Sequence, residues 1–101
     1  MISTLKDVLT NIATFEKEAP IFALRIEGDF RPDSEAVVLE LADEEADLRT
    51  GEIATLKCPG LDYFLEVFIV QEMVADFDSA SQSVPLEERI NIIIHYAEYD
   101  A

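Results

Sequence analysis

The chain has few of the residues that most often reveal a protein's chemistry. Its 101 residues include no tryptophan, one cysteine, one histidine and three glycines. A single cysteine, Cys58, cannot form an internal disulfide, which excludes the cross-linked framework of a small secreted domain. The sequence contains no Walker A or dinucleotide-binding glycine motif and no GxSxG nucleophile motif. We therefore expect that the protein is not an enzyme and needs no cofactor.

Basic residues are also scarce. Seven lysines and arginines face 22 aspartates and glutamates, for a formal net charge of -15. Such a surface repels phosphate, so we expect no direct binding to nucleic acid or to an anionic membrane. The same charge attracts a basic protein and accelerates the encounter with it. Half of the residues are hydrophobic, which suffices for one packed core and predicts a single domain over residues 1–101.

Long apolar runs are absent as well. No window approaches the roughly 18 apolar residues that a membrane-spanning helix needs. The first residues, MISTLKDVLTNIATF, carry one lysine and an interrupted apolar pattern, unlike a signal peptide. We expect a cytosolic protein with no membrane partner.

The first half of the chain predicts a helix followed by strands. Leu5, Val8, Leu9, Ile12 and Phe15 recur at helical spacing within Ser3–Lys17. Alternating residues then predict two antiparallel strands on either side of a turn, with a weaker third strand after them. These segments are Pro20–Glu27, the turn Gly28–Ser34, Ala36–Ala42 and Glu52–Lys57.

The predicted strands each place their apolar residues on one face. Phe22, Leu24 and Ile26 share one face of the first strand. Val37, Leu39 and Leu41 share one face of the second, and Glu40 lies on the other. We expect the helices to cover the face that carries these residues.

Two helices are predicted after the break at Cys58-Pro59-Gly60. Leu61–Phe77 has a continuous acidic arc opposite an apolar one, although LEVFIV also fits a strand. A third helix is predicted with Ser83 or a neighbour as its cap and Pro85 in its first turn, and Ile90, Ile93 and Ile94 line its apolar side. The run INIIIHY has high strand propensity, but the periodicity of its polar and apolar residues favours helix for Arg89–Tyr96, with strand as the alternative.

Together these elements predict an α+β fold. The order is helix, two or three antiparallel strands, then two helices. A small antiparallel sheet with three helices on one face would bury the apolar stripes.

The acidic stretch LADEEADLRTGE raises the question of a calcium site. Asp43, Glu45 and Asp47 match the first, third and fifth positions of an EF-hand loop. Leu48 stands where that loop needs glycine, and Ala54 stands where it needs a bidentate glutamate. The pattern fails twice, so we expect no calcium site.

The single histidine does not complete a metal or catalytic site. His95 and Glu98 could share one helical face, but a zinc site needs further ligands that the pattern does not supply. A Cys58–His95 dyad would be found in any chain with one residue of each type. We predict that His95 is a surface residue and that no metal is bound.

Acidic residues are concentrated between Glu27 and Glu52, where only two arginines oppose them. If the strands pair as predicted, this charge runs along one side of the molecule and suits a basic cleft. Two tyrosines near the C-terminus are candidate aromatic anchors for the same partner. The predicted partner-binding residues are Asp29, Asp33, Glu35, Glu40, Asp43, Glu44, Glu45, Asp47, Glu52, Tyr96 and Tyr99.

A small, strongly acidic domain of this kind resembles the immunity proteins of bacterial toxin systems, those of contact-dependent growth inhibition being nearest in kind. The segment CPGLDYFLEVFIVQEMVADF (Cys58–Phe77) also resembles a helix of small bacterial proteins associated with such systems. The resemblance implies that the protein binds one cognate toxin, commonly a basic nuclease, and covers its substrate-binding surface. The class has no shared signature, so the resemblance assigns no individual residues.

Two other functions fit the same composition. A DNA mimic would inhibit a DNA-binding protein and compete for several unrelated ones, whereas an immunity protein has one cognate toxin. An adaptor or oligomeric subunit would carry the acidic residues only as a solvated surface, so removing the charge would change little.

Overall fold

In a computed structural model, which describes residues 3–39, 59–79 and 84–99, the chain forms a four-stranded antiparallel sheet and three α-helices. The strands are β1 (Ser3–Thr4), β2 (Pro20–Ala23), β3 (Glu35–Val38) and β4 (Asp62–Glu66), in the spatial order β1-β3-β2-β4. The helices are α1 (Leu5–Thr10), α2 (Val67–Ser79) and α3 (Leu86–Tyr99), and a short 3₁₀ helix spans Ile12–Thr14. The predicted α+β class is confirmed, with one more strand than expected.

Helix α1 is shorter than the predicted helix Ser3–Lys17. Thr4 and Asp7 form a capping box at its start, which leaves Ser3 and Thr4 free to pair with β3. The helix ends at Asn11, whose side chain donates to the Asp7 carbonyl at 2.9 Å. The Thr14 hydroxyl donates to the Asn11 carbonyl at 2.7 Å. Such bonds from side chain to backbone compete with helix continuation, and the chain turns into the 3₁₀ segment.

Both faces of the sheet are apolar. Ile21 pairs with Val38, and Phe22 pairs with Val37. Ile21 and Val38 belong to the core that the helices share, whereas Phe22 and Val37 belong to a second cluster on the opposite face. The prediction that the Phe22 face meets the helices is therefore wrong. All of Pro20–Ala23 is buried, and alternation does not show which face the helices cover when both are apolar.

The predicted helix Leu61–Phe77 is wrong over its first residues. Asp62–Glu66 instead forms β4, which pairs with β2 through a bulge that lets Phe64 and Leu65 both face the helix-covered core. Helix α2 begins only at Val67, whose N–H donates to the Ala19 carbonyl at 2.9 Å. Tertiary pairing with β2 therefore overrides the helical periodicity of these residues.

Tyr63 lies on the sheet face that points away from the helices, and its hydroxyl is partly buried and hydrogen-bonded. Its ring meets Phe22 edge to face, with centroids 6.0 Å apart. The hydroxyl donates to the Glu66 carboxylate at 2.5 Å. Burial, followed by this hydrogen bond, raises the pKa of Tyr63 well above its ordinary value. The phenol therefore remains a protonated donor even at an alkaline pH at which an ordinary tyrosine ionises.

Helix α3 confirms the helical interpretation of Arg89–Tyr96. Its apolar stripe is buried against the sheet, with Ile90, Ile93 and Ile94 in the core. The Arg89 guanidinium binds Asp78 at 2.8 Å and lies over the Phe77 ring. The start of α3 therefore lies beside the end of α2.

Some predicted strands extend beyond the residues that the structure describes, and one ends earlier than predicted. The strand predicted at Ala36–Ala42 is observed as Glu35–Val38, and its last residues lie outside the described ranges. The strand predicted at Glu52–Lys57 and residue Cys58 also lie outside them. The strand predicted at Pro20–Glu27 ends at Ala23, because the chain reverses tightly at Glu27 and Gly28.

That reversal gives a stability prediction. Ile26 and Asp29 form a bridge around Glu27 (φ 54°) and Gly28 (φ 89°), as in a type I′ turn. Asparagine tolerates the left-handed region better than glutamate, so Glu27→Asn should stabilise the fold by about 0.5 kcal/mol despite losing its exposed ion pair with Arg31. A Cβ at position 28 would meet nothing within 4 Å, so Gly28→Ala should cost about 1 kcal/mol through backbone strain alone. In thermal unfolding, the midpoint should be higher than that of the wild type for Glu27→Asn and lower for Gly28→Ala. Equal shifts of the two midpoints would contradict the prediction.

Candidate partner-binding surface

The acidic turn, defined here as residues 28–35, is held in place by helix α3. The N–H of Phe30 donates to the Glu98 carboxylate at 2.8 Å. The Arg25 guanidinium lies over the Phe30 ring, 4.1 Å from its centroid, and contacts the same Glu98 carboxylate at 3.5 Å. Phe30 itself is buried and meets the Phe64 ring edge to face. One glutamate at the end of α3 therefore fixes both the turn and its covering arginine.

The other end of the acidic turn is fixed by helix α1. The first N–H groups of this helix donate to carbonyls of the turn, from Leu5 to Ser34 at 2.7 Å and from Lys6 to Pro32 at 2.8 Å. The buried Ser34 hydroxyl accepts from the Arg31 N–H at 2.9 Å. The carbonyls of the turn thus accept from backbone N–H groups that have no partner within the first turn of a helix. Each element therefore holds the other in place.

Three of the predicted partner-binding residues project from this rigid turn. Asp29, Asp33 and Glu35 are all exposed, and no ion pair within the described ranges involves them. Their backbone is ordered before any partner arrives. A binding surface that is already ordered loses less conformational entropy on association.

Arg25 and Arg31, which lie beside and within the turn, are each paired with carboxylates of the protein itself. Arg25 binds Asp62 at 3.3 Å as well as Glu98, and Arg31 binds Glu27 at 3.4 Å. Each guanidinium is thus engaged by a carboxylate of the protein itself. The exposed carboxylates of the turn remain available to an external cation.

The two predicted tyrosine anchors have different environments. Tyr99 is 69% exposed, and its ring lies 4.7 Å from that of His95, which is also exposed as predicted. Tyr96 is partly buried against the core and faces α2. Only Tyr99 is therefore free to present its whole ring to a partner.

Six of the predicted partner-binding residues lie outside the described ranges. They are Glu40, Asp43, Glu44, Glu45, Asp47 and Glu52. Within the described ranges, the predicted site therefore consists of the acidic turn and the exposed Tyr99 at the end of α3.

The structure also contains a groove that the sequence analysis missed. It lies between α2 and α3 and has a volume of about 410 Å³. Its lining consists of Met73, Glu88, Asn91, Ile92, His95 and Tyr96. The available signal was Ile92, an isoleucine that lies off the buried stripe of Ile90, Ile93 and Ile94 and is 39% exposed.

Within ranges 3–39, 59–79 and 84–99, no group of three or more histidine, cysteine, aspartate or glutamate side chains is arranged to hold a metal ion. None of the helices described there is long and apolar enough to cross a bilayer.

The fold and surface define a small acidic α+β protein with a rigid acidic turn. The chain belongs to the family described as a domain of unknown function, DUF7716, whose model matches residues 1–101. No curated protein and no solved structure matches the chain.

Proposed function

We propose that this protein binds and neutralises one cognate bacterial toxin, a basic nuclease, by covering its substrate-binding surface. The observation that carries the proposal is the acidic turn, which presents Asp29, Asp33 and Glu35 on a fixed backbone. The net charge of -15 adds a long-range field of the same sign. The resemblance to toxin-immunity proteins rests on size and charge, because part of the segment that resembled a helix, Asp62–Glu66, forms strand β4.

The electrostatics favour a partner that itself binds nucleic acid. A nuclease binds the phosphate backbone with lysines and arginines. Carboxylates on a fixed turn are negative, as phosphates are, so those cations can bind them instead. Close charge pairs across an interface can contribute several kcal/mol and accelerate association. Inhibition then follows because the toxin's phosphate-binding cations are occupied.

The test is affinity capture with variants of matched charge. The tagged protein is exposed to a lysate of its native host at low salt, and bound proteins are eluted in salt steps and identified by mass spectrometry. The triple variant Asp29→Asn, Asp33→Asn, Glu35→Gln removes charge from the turn. The control Glu16→Gln, Glu18→Gln, Glu72→Gln removes the same charge from other exposed sites.

We expect one dominant basic protein with nuclease activity that the wild-type protein inhibits. The turn variant should retain about tenfold less of it, because three carboxylates at a close interface are lost, while the control should behave as wild type. Several unrelated DNA-binding proteins eluting early would favour a DNA mimic. Equal losses for the two variants, or no captured nuclease, would overturn the proposal.

A further inference from the structure

We propose that the groove between α2 and α3 is a second docking site, which takes a basic amphipathic helix of a partner protein. The site stands independently of the acidic turn and of the partner's identity as a toxin. The apolar part of the groove is formed by Met73, Ile92 and Tyr96, and Glu88 lies at its edge. An apolar floor with an acidic edge complements a helix that has leucines on one side and lysines or arginines beside them.

The outer side of α3 has the spacing that a helical partner requires. Glu88, Ile92, His95 and Tyr99 follow one another at intervals of four, three and four residues, so they form one stripe along the helix. This stripe spans roughly 16 Å at 1.5 Å per residue, which is three helical turns. Ile92 and Tyr99 are 39% and 69% exposed. Helices that bind in grooves use anchors at the same three- and four-residue intervals.

The charge around the groove selects a basic occupant. Glu88 lines it, and Asp76 follows Met73 by three residues on the same side of α2. Arg89, the residue next to Glu88, has its guanidinium bound to Asp78 at 2.8 Å. Within the described ranges, no lysine or arginine lines the groove.

The same charge disfavours a second copy of this chain as the occupant. Two chains of net charge -15 repel each other, and their acidic groove edges would meet. A basic partner instead gains from both the apolar contact and the field. The proposal therefore commits to a partner protein that presents a basic amphipathic helix.

Methionine labelling provides a direct test, because the chain has two methionines and one of them, Met73, lines the groove. Protein with ¹³C-methyl methionine is titrated with a 14-residue synthetic helix of leucine, alanine and lysine at about 0.15 M salt. Two control peptides are a scrambled version and a version with glutamate in place of lysine. We expect the Met73 methyl signal to move on addition of the amphipathic lysine peptide and to stay in place with both controls.

Matched variants locate the contact. Ile92→Ser should weaken peptide binding about fivefold, since it removes an exposed apolar anchor, whereas Phe68→Ser, at a side chain 42% exposed outside the groove lining, should have no effect. Glu88→Gln should weaken binding about threefold, whereas Glu87→Gln, which makes the same charge change on the neighbouring residue outside the groove lining, should not.

The result also separates this site from the proposed function. The turn variant Asp29→Asn, Asp33→Asn, Glu35→Gln should bind the peptide within twofold of wild type, because its changes lie outside the groove. Equal effects of Ile92→Ser and Phe68→Ser would overturn the docking site, as would equal binding of the scrambled peptide. A Met73 signal that moves on dilution without peptide would instead show that a second copy occupies the groove.

Discussion

Replacing Phe22 with alanine should lower the free energy of unfolding by about 3–5 kcal/mol. The side chain is fully buried, and its ring meets Tyr63 edge to face. It is the buried centre of the cluster on the sheet face away from the helices. Removing the ring loses its transfer free energy and leaves a cavity. Urea unfolding followed by circular dichroism should show the midpoint falling by about 2 M.

The loss could approach the total stability of the domain, so milder variants are needed. Phe22→Leu retains most of the apolar volume and should cost about 1 kcal/mol. Phe68→Ala removes a ring that is 42% exposed on α2 and should cost about 1–2 kcal/mol, clearly less than the loss of the fully buried Phe22 ring. If Phe22→Ala lost no more than Phe68→Ala, the far face of the sheet would not be a packed cluster.

The prediction for Phe22 depends on which face of the sheet the helices cover. Sequence periodicity showed only which residues share a face. Alternation correctly placed Phe22 and Val37 on the same face of a strand pair. It could not show that the helices cover the opposite face, where Ile21, Ala23 and Ala36 lie. Both sets are apolar, so the choice depends on which face the helical stripes fit, and that is a tertiary property.

Sequence periodicity also failed to show where a helix begins next to the sheet. In Leu61–Phe77, the polar residues Asp62 and Glu66 fit a helical arc, yet they belong to β4. Pairing with β2 satisfies the backbone of this segment, and the bulge buries Phe64 beside Leu65. Helix α3 was predicted correctly from periodicity, because its residues pair with no strand and its isoleucine stripe alone decides the structure.

The candidate site was predictable in composition but not in geometry. Exposed Asp29, Asp33 and Glu35 follow from charge and turn residues. The contact between Phe30 and Glu98 joins positions 68 residues apart, and no local pattern encodes such a distance. The groove likewise arises from the packing of α2 against α3, so the sequence alone does not reveal it.

Replacing Glu98 with alanine should lower the free energy of unfolding by about 2–3 kcal/mol. Its side chain is 11% exposed, accepts the Phe30 N–H at 2.8 Å and contacts the Arg25 guanidinium at 3.5 Å. Alanine leaves a partly buried N–H without its acceptor and removes one of the two carboxylates that hold Arg25. Chemical unfolding measures the loss.

Two further variants distinguish the lost hydrogen bond, the lost charge and a general effect of changing a glutamate on α3. Glu98→Gln retains an oxygen that can accept from Phe30 but loses the charge, so it should cost about 1 kcal/mol, and its difference from wild type should shrink at 1 M salt. Glu88→Ala removes an exposed carboxylate from the same helix and should cost less than about 0.5 kcal/mol. If Glu98→Ala and Glu88→Ala were equally stable, the contact between α3 and the acidic turn would not hold the fold.

The Glu98 variants also connect the stability of the fold with the proposed binding. Glu98→Ala leaves Asp29, Asp33 and Glu35 in the sequence but removes the bond that fixes their turn. A partner would then have to order the turn on binding, which costs free energy that the wild-type protein has already spent in folding. We therefore expect Glu98→Ala to weaken capture of the basic partner while the far-face variant Phe22→Leu does not. Unchanged capture by Glu98→Ala would mean that the charge of the turn, and not its fixed geometry, determines binding.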